Sequence, residues 1–168
     1  MNFIDTHCHL NDEKFSADFD EVVKRAESLG VDRIINFGDT LKSSAQVVKL
    51  AEKFNGMYAG VGVHPEEIEN FDENKSVDTI VELAANKKVV AIGEIGLDYY
   101  WEKNPDVRLA QQKIFVRQLD IARQLNLPPT KRLWQSAKSD LIIIGKKIPT
   151  FDLHSRKFLF DSWILRGS

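Results

Sequence analysis

A chain of 168 residues, 43% hydrophobic and 29% charged, is long enough to bury one core and has the composition of a globular domain. Its net charge of −2 excludes wholesale electrostatic coating of nucleic acid or of an anionic membrane, so any grip on phosphate has to be local or made through a metal. A single cysteine, Cys8, excludes an intrachain disulfide. The start Met-Asn-Phe-Ile-Asp lacks the parts of a secretory signal, and the longest aliphatic run, Leu141 to Ile144, is too short to span a bilayer; the expected location is cytoplasmic.

In chain order, Phe3-Ile4 is a first apolar run leading into the polar cluster Asp5 to His9. Phe19, Val22, Val23, Ala26 and Leu29 recur at helical spacing, with Gly30 as a stop. Val31 to Phe37 is β-rich and bounded by Gly38-Asp39, so it predicts a strand. Ser44 to Phe54 predicts a helix that buries Val47, Val48, Leu50 and Ala51. Met57 to Val63 predicts a third strand, broken by Pro65; Val77 to Ala85 a helix; Val89 to Ile92 a fourth strand; and Arg108 to Leu125 a long helix. Strand-then-helix units in series require crossovers and hence a parallel sheet. Eight such units close a barrel of about 250 residues, and this chain holds half of that number.

After Pro128 the character changes. Residues 1–128 carry 15 Lys and Arg against 22 Asp and Glu, whereas residues 129–168 carry 8 against 3 and no glutamate. The regular alternation also ends there. The chain therefore reads as a unit over 1–128 followed by an atypical basic tail over 129–168. A shifted reading frame accounts for that tail without requiring a new function. The competing reading is a nucleic-acid arm in which Trp134, Phe158 and Trp163 stack on bases, against which the apolar Leu141 to Ile144 run argues for burial.

Three constellations carry chemistry, each at a strand end, where a barrel keeps its active site. His7 and His9 are two apart, so on a strand both rings point to one side and can share a metal. Cys8 between them points away and reads as a packed thiol. His64, in Gly62-Val63-His64-Pro65, can ligate a metal, hydrogen-bond a substrate phosphate, or cap the turn that Pro65 begins. Glu94, in Gly93-Glu94-Ile95-Gly96-Leu97-Asp98, offers a carboxylate that can bridge hard cations and activate water. Asp98 and Tyr99 support that site or cap its loop.

Phe3 to Leu10 (FIDTHCHL), Gly62 to Pro65 (GVHP) and Ala91 to Tyr99 (AIGEIGLDY) resemble the successive signatures of the TatD-type deoxyribonucleases, metal-dependent barrels of the amidohydrolase superfamily. The resemblance continues through Gln111-Gln112, Phe115, Gln118 and Ala122 to Leu125-Asn126-Leu127-Pro128, about three quarters of the chain. It implies an α/β fold of the TIM-type (β/α)8 barrel family, of which this chain covers roughly the first half. It also implies two divalent metal ions (Mg, Mn or Zn) and hydrolysis of DNA phosphodiesters from the 3′ end. By position, His7 and His9 would bind one metal, Glu94 would bridge both as a catalytic ligand, and His64 would line the substrate pocket. Asp5 stands where the family has an acidic residue beside the ligands.

Beyond Pro128 the chain departs from the family. Pro129-Thr130-Lys131-Arg132 stands where a strand with a ligand histidine is expected, and His154 in Leu-His-Ser lacks the family's surroundings. The later catalytic aspartate is also missing. An inactive half-barrel, self-associating through exposed sheet edges and apolar surface, is therefore the alternative expectation. Deacylation of aminoacyl-tRNA is a second one within the superfamily.

Overall fold

The computed structural model describes residues 2–134 and 140–143. Strands β1 (Phe3–Cys8), β2 (Val31–Phe37), β3 (Met57–Val61), β4 (Val89–Asp98) and β5 (Pro129–Trp134) lie in chain order as neighbouring parallel strands. Helices α1 (Phe19–Ser28), α2 (Leu41–Lys53), α3 (Lys75–Ala84) and α4 (Pro105–Gln124) make the four crossovers. A sixth strand, β6 (Asp140–Ile143), runs antiparallel to β5 and so departs from the all-parallel expectation.

The sheet extends past the boundary expected at Pro128, because β5 starts at Pro129 and pairs with Ile92 through Asp98 of β4. The same pairing makes β4 six residues longer than its apolar run Val89 to Ile92 suggests, so Glu94 sits within the ladder and not in a loop beyond it. The expectations attached to His154, Phe158 and Trp163 lie outside the described residues. None of the described helices is long and apolar enough to cross a membrane.

Caps explain the helix starts that periodicity misplaces. The Thr40 hydroxyl accepts from Ser43 N–H at 3.0 Å and the Ser43 hydroxyl accepts from Thr40 N–H at 2.8 Å, a capping box that starts α2 three residues before Ser44. Asn104 accepts from Asp106 N–H at 2.9 Å with Pro105 in the first turn, which starts α4 ahead of Arg108. α1 ends as expected at Gly30, whose φ of 92° lies in the left-handed region that favours glycine.

From the second half of β2 through β4 consecutive strand residues are buried, so both faces of the sheet are covered there. Towards the helices, Val47, Ala51, Val61, Ile80, Ile92 and Ile121 belong to one core cluster. Ile35, Phe37, Val90 and Ala91, with Tyr58 against them, form a second cluster; an irregularity in the β3–β4 register at Val90 lets two consecutive residues of β4 join it. At the N-terminal end of the strands, Lys88 Nζ donates to the carbonyls of Phe54, Asn55 and Met57 at 3.1, 2.9 and 3.2 Å. It thereby closes the C-terminus of α2 onto β3. Lys88→Met keeps most of the stem but leaves these acceptors to water, and is expected to lower stability by about 1–2 kcal/mol, measured by urea unfolding.

Candidate metal centre

His7 leaves β1 near its C-terminal end and His9 follows the last strand residue, while Glu94 projects from β4, so a histidine pair and a chain-distant carboxylate meet at one end of the sheet. His7 Nε2 stands 3.3 Å from Glu94 Oε2, His9 Nε2 stands 3.4 Å from the same oxygen, and the two nitrogens are 3.2 Å apart. Among the described residues these are the three groups whose ligand atoms cluster in this way. Glu94 is 1% exposed, a carboxylate removed from water almost completely.

Phe37 organises both rings. Its side chain stacks on His7 with centroids 4.5 Å apart at 13°, and its carbonyl oxygen accepts from His9 Nδ1 at 3.0 Å. A neutral imidazole holds one proton; with Nδ1 donating to a carbonyl, the lone pair of His9 Nε2 faces Glu94 and His7. This is the carbonyl support typical of histidine ligands. Gly60 makes room for it, since a Cβ there would meet Phe37 Cε1 at 2.0 Å.

The donor set fits a divalent cation. Ligand atoms held about 2.0–2.2 Å from one ion stand roughly 3.0–3.5 Å from each other, which the separations of 3.2, 3.3 and 3.4 Å match. Two imidazoles and a carboxylate suit Zn or Mn and accommodate Mg less readily. His7 Nδ1 is buried without a hydrogen-bond partner. Asp5 does not join the group; it accepts from His7 N–H at 3.0 Å and so braces the backbone between the ligands.

Without a cation, the same carboxylate favours the protonated form of His9. The hydrogen bond to Glu94 raises the pKa of His9, against the opposing effect of its burial, and the Phe37 carbonyl and Asp39 act in the same direction as Glu94. A raised folded pKa stabilises the fold fully below the unfolded value of about 6.5, and the contribution disappears as pH rises through the folded value. Metal binding demands neutral histidine and runs the other way. Metal-free protein is thus expected to lose thermal stability from about pH 6.5 upward, and metal-saturated protein to gain it, read as opposite slopes of Tm against pH.

His64 is buried at the C-terminal end of β3, where its N–H donates to Asp39 O at 2.8 Å. Its Nδ1 accepts from Glu66 N–H at 3.3 Å, capping the turn Pro65–Asn70. The capping role is therefore real, and the Glu66 carboxylate stands 3.6 Å from the same Nδ1. His64 is not among the three clustered groups.

Asp98 accepts from Tyr100 N–H at 2.9 Å and Trp101 N–H at 3.0 Å, which makes it the cap of the β4–α4 loop. Tyr99 joins the same loop through its carbonyl, which accepts from Arg108 Nη2 at 2.8 Å. Cys8 points away from the histidines towards Ile35 O, at 3.6 Å, and burial pushes its thiol up to about 12, with the Asp5 charge adding to the effect. It is an unreactive packed thiol.

Sequence reasoning assigned no role to Gln111 or Gln118, both buried. Gln118 grips Val63 through both its amide atoms, accepting from N–H at 2.8 Å and donating to O at 3.0 Å. Gln111 accepts from Asp98 N–H at 2.9 Å and donates to Pro65 O at 3.1 Å. Their signal was the seven-residue spacing, which puts two amides on the inward face of α4. Nothing in the residue pattern distinguished Phe37 from any other strand aromatic.

Residues 4–130 match the model of a family described as TatD related DNase. The chain is 39% identical over 124 residues to an uncharacterized metal-dependent hydrolase, YabD, of Bacillus subtilis (strain 168), covering 74% of this chain and 48% of that protein. It is 37% identical over 124 residues to a 3′-5′ ssDNA/RNA exonuclease, TatD, of Escherichia coli (strain K12), covering 74% of this chain and 46% of that protein. The chain thus spans about half the length of the curated relatives it matches. The crystal structure of the Escherichia coli K12 TatD homolog YJJV superposes with a TM-score of 0.70 at 34% identity, over 79% of this chain and 51% of that one. An uncharacterized amidohydrolase from Saccharomyces cerevisiae shares the fold with a TM-score of 0.69 at 20% identity, over 80% and 49%. The sheet and its helices are the first part of the barrel these structures share.

Proposed function

We propose, from the premise that this chain belongs to the family of TatD-related DNases, that its described residues form the metal-holding part of a site that hydrolyses DNA phosphodiester bonds from the 3′ end. The convergence of His7 Nε2, His9 Nε2 and Glu94 Oε2 within 3.4 Å of one another carries this reading. The names of the relatives as a metal-dependent hydrolase and a 3′-5′ exonuclease support it.

His7 and His9 would hold one divalent ion and Glu94 would extend to a second. Bound there, divalent cations polarise a phosphoryl oxygen and make water a nucleophile near neutral pH. Glu94 supplies the negative charge that keeps cations at the site and orients them through a buried carboxylate. Phe37 fixes both rings, so little reorganisation is needed when phosphate arrives. His64 would line the substrate pocket and hydrogen-bond the phosphate. Water gives up a proton as its oxygen adds to phosphorus, the bond from phosphorus to the leaving sugar oxygen breaks, and that oxygen takes up a proton in turn, so the balance is one water consumed.

Calorimetric titration of the chelated chain with Mn²⁺ and Zn²⁺, beside cleavage of a 5′-labelled single strand, tests the reading. Stoichiometric binding, lost in His9→Ala, together with stepwise shortening from the 3′ end is expected. Absence of metal binding would overturn it. Binding without cleavage would favour an inactive half-barrel.

A further inference from the structure

The loop between β4 and α4 shows its largest side chain to solvent: Trp101 is 65% exposed. Elsewhere on the loop, backbone and side chains are tightly engaged. Asp98 Oδ1 accepts from the N–H groups of Tyr100 and Trp101, Lys103 Nζ donates to Tyr99 O and Tyr100 O, and Arg108 Nε donates to Glu102 O at 2.8 Å. Tyr100 meets Trp101 edge to face, with centroids 4.7 Å apart at 84°. A loop pinned at this many points, yet holding an indole outward, offers a rigid aromatic surface that loses little entropy on binding.

Its position relates it to the site. Pro65 O accepts from Gln111 Nε2, Gln111 Oε1 accepts from Asp98 N–H, and Asp98 Oδ1 accepts from Trp101 N–H. Three hydrogen bonds therefore connect the residue next to His64 with the indole-bearing residue. Trp101 follows Glu94 by seven residues, a chain length that spans about 25 Å at most. Lys103 of the loop and Arg108 of α4 stand over the rings of Tyr100 and Tyr99 at 5.6 and 4.9 Å. An exposed aromatic on the loop that leaves the C-terminal end of β4, with cations over the neighbouring tyrosines, has the chemistry of a stacking platform for unpaired bases.

We propose that Trp101 is a substrate-binding residue that stacks on a nucleobase of the single strand a few nucleotides from the scissile phosphate. The proposal rests on the reading of the substrate as nucleic acid. Stacking recognises any base, so it predicts a preference for single strands over duplex without sequence specificity.

The test measures binding of the full chain to a short fluorescein-labelled oligothymidylate in EDTA, where cleavage cannot interfere, by fluorescence anisotropy. Trp101→Ala is expected to bind about five- to a hundredfold more weakly, the effect of losing one base–aromatic stack, and Trp101→Phe to stay within about threefold of the parent. Because the indole is exposed, neither variant should disturb folding, and unchanged thermal unfolding checks that. On a strand of the same length made wholly of abasic residues, parent and Trp101→Ala should bind alike. Equal binding of parent and Trp101→Ala to oligothymidylate overturns the proposal. So does an equal loss on the abasic strand, and so does an absence of any binding by the parent. Mn²⁺-dependent cleavage, measured separately, keeps the two readings apart. Trp101-dependent binding without cleavage sinks the hydrolase reading alone, and cleavage with Trp101-independent binding sinks the stack alone.

Discussion

Glu94→Gln is expected to lower divalent cation affinity by at least about a hundredfold and cleavage by about a thousandfold, roughly 4 kcal/mol of barrier. The substitution keeps the volume and one oxygen but removes the negative charge that sits 3.3 and 3.4 Å from the two imidazole nitrogens. An amide is a weaker ligand for a hard cation, and its NH2 group, if turned inward, would occupy the place of the ion. Calorimetry gives the affinity directly. A second reading comes from thermal unfolding: a cation at a hundred times its Kd stabilises the parent by about 2.7 kcal/mol, and that shift should vanish in the variant. The partner that raises the pKa of His9 is also lost, so the fall in metal-free stability above about pH 6.5 should flatten. If Glu94→Gln binds Mn²⁺ as tightly as the parent, the cluster is not the metal site.

Phe37→Ala acts on the fold and the site together. Phe37 is 1% exposed, and truncating a buried phenylalanine costs about 3–5 kcal/mol. Domains are typically stable by only about 5–15 kcal/mol, so a large shift of the urea midpoint is expected. The ring also forms the floor on which His7 stacks, while the His9 bond goes to the backbone carbonyl and survives truncation. Metal affinity should therefore fall by about tenfold through loosening of His7 alone, less than in Glu94→Gln. Phe37→Leu, which retains much of the volume, should recover most of the stability but less of the affinity, because an aliphatic side chain offers no flat surface for the imidazole. A loss of under about 1 kcal/mol for Phe37→Ala would mean that this face of the sheet is not closed.

Much was legible from the residues alone. Apolar runs and helical periodicity placed the first four strands and four helices, because burial selects the same spacing wherever one face meets a core. The His-x-His pair and the carboxylate between glycines were visible as candidate ligands, since few residue types bind cations and a strand alternates its faces. Gly30 as a helix stop and Cys8 as an inert thiol followed from equally local rules.

Other features depend on partners that are distant in the chain. The reach of β4 to Asp98 and the continuation into β5 past Pro128 come from a ladder between strands about thirty residues apart. No local propensity records that pairing. Likewise, only packing shows that His64 caps a turn, that Asp5 braces the backbone without entering the donor set, and that Gln111 and Gln118 hold the His64 segment from α4. Phe37 is the clearest case. Its strand placement is written in its neighbours, but its stack on His7 and its carbonyl bond to His9 exist only because β1 lies beside β2 and Gly60 leaves the ring its space. Sequence by itself determined which chemical groups were present and on which strand ends they sat. The tertiary structure decided which atoms meet, because hydrogen bonds and ligand clusters need ångström-scale placement that only the packed sheet supplies.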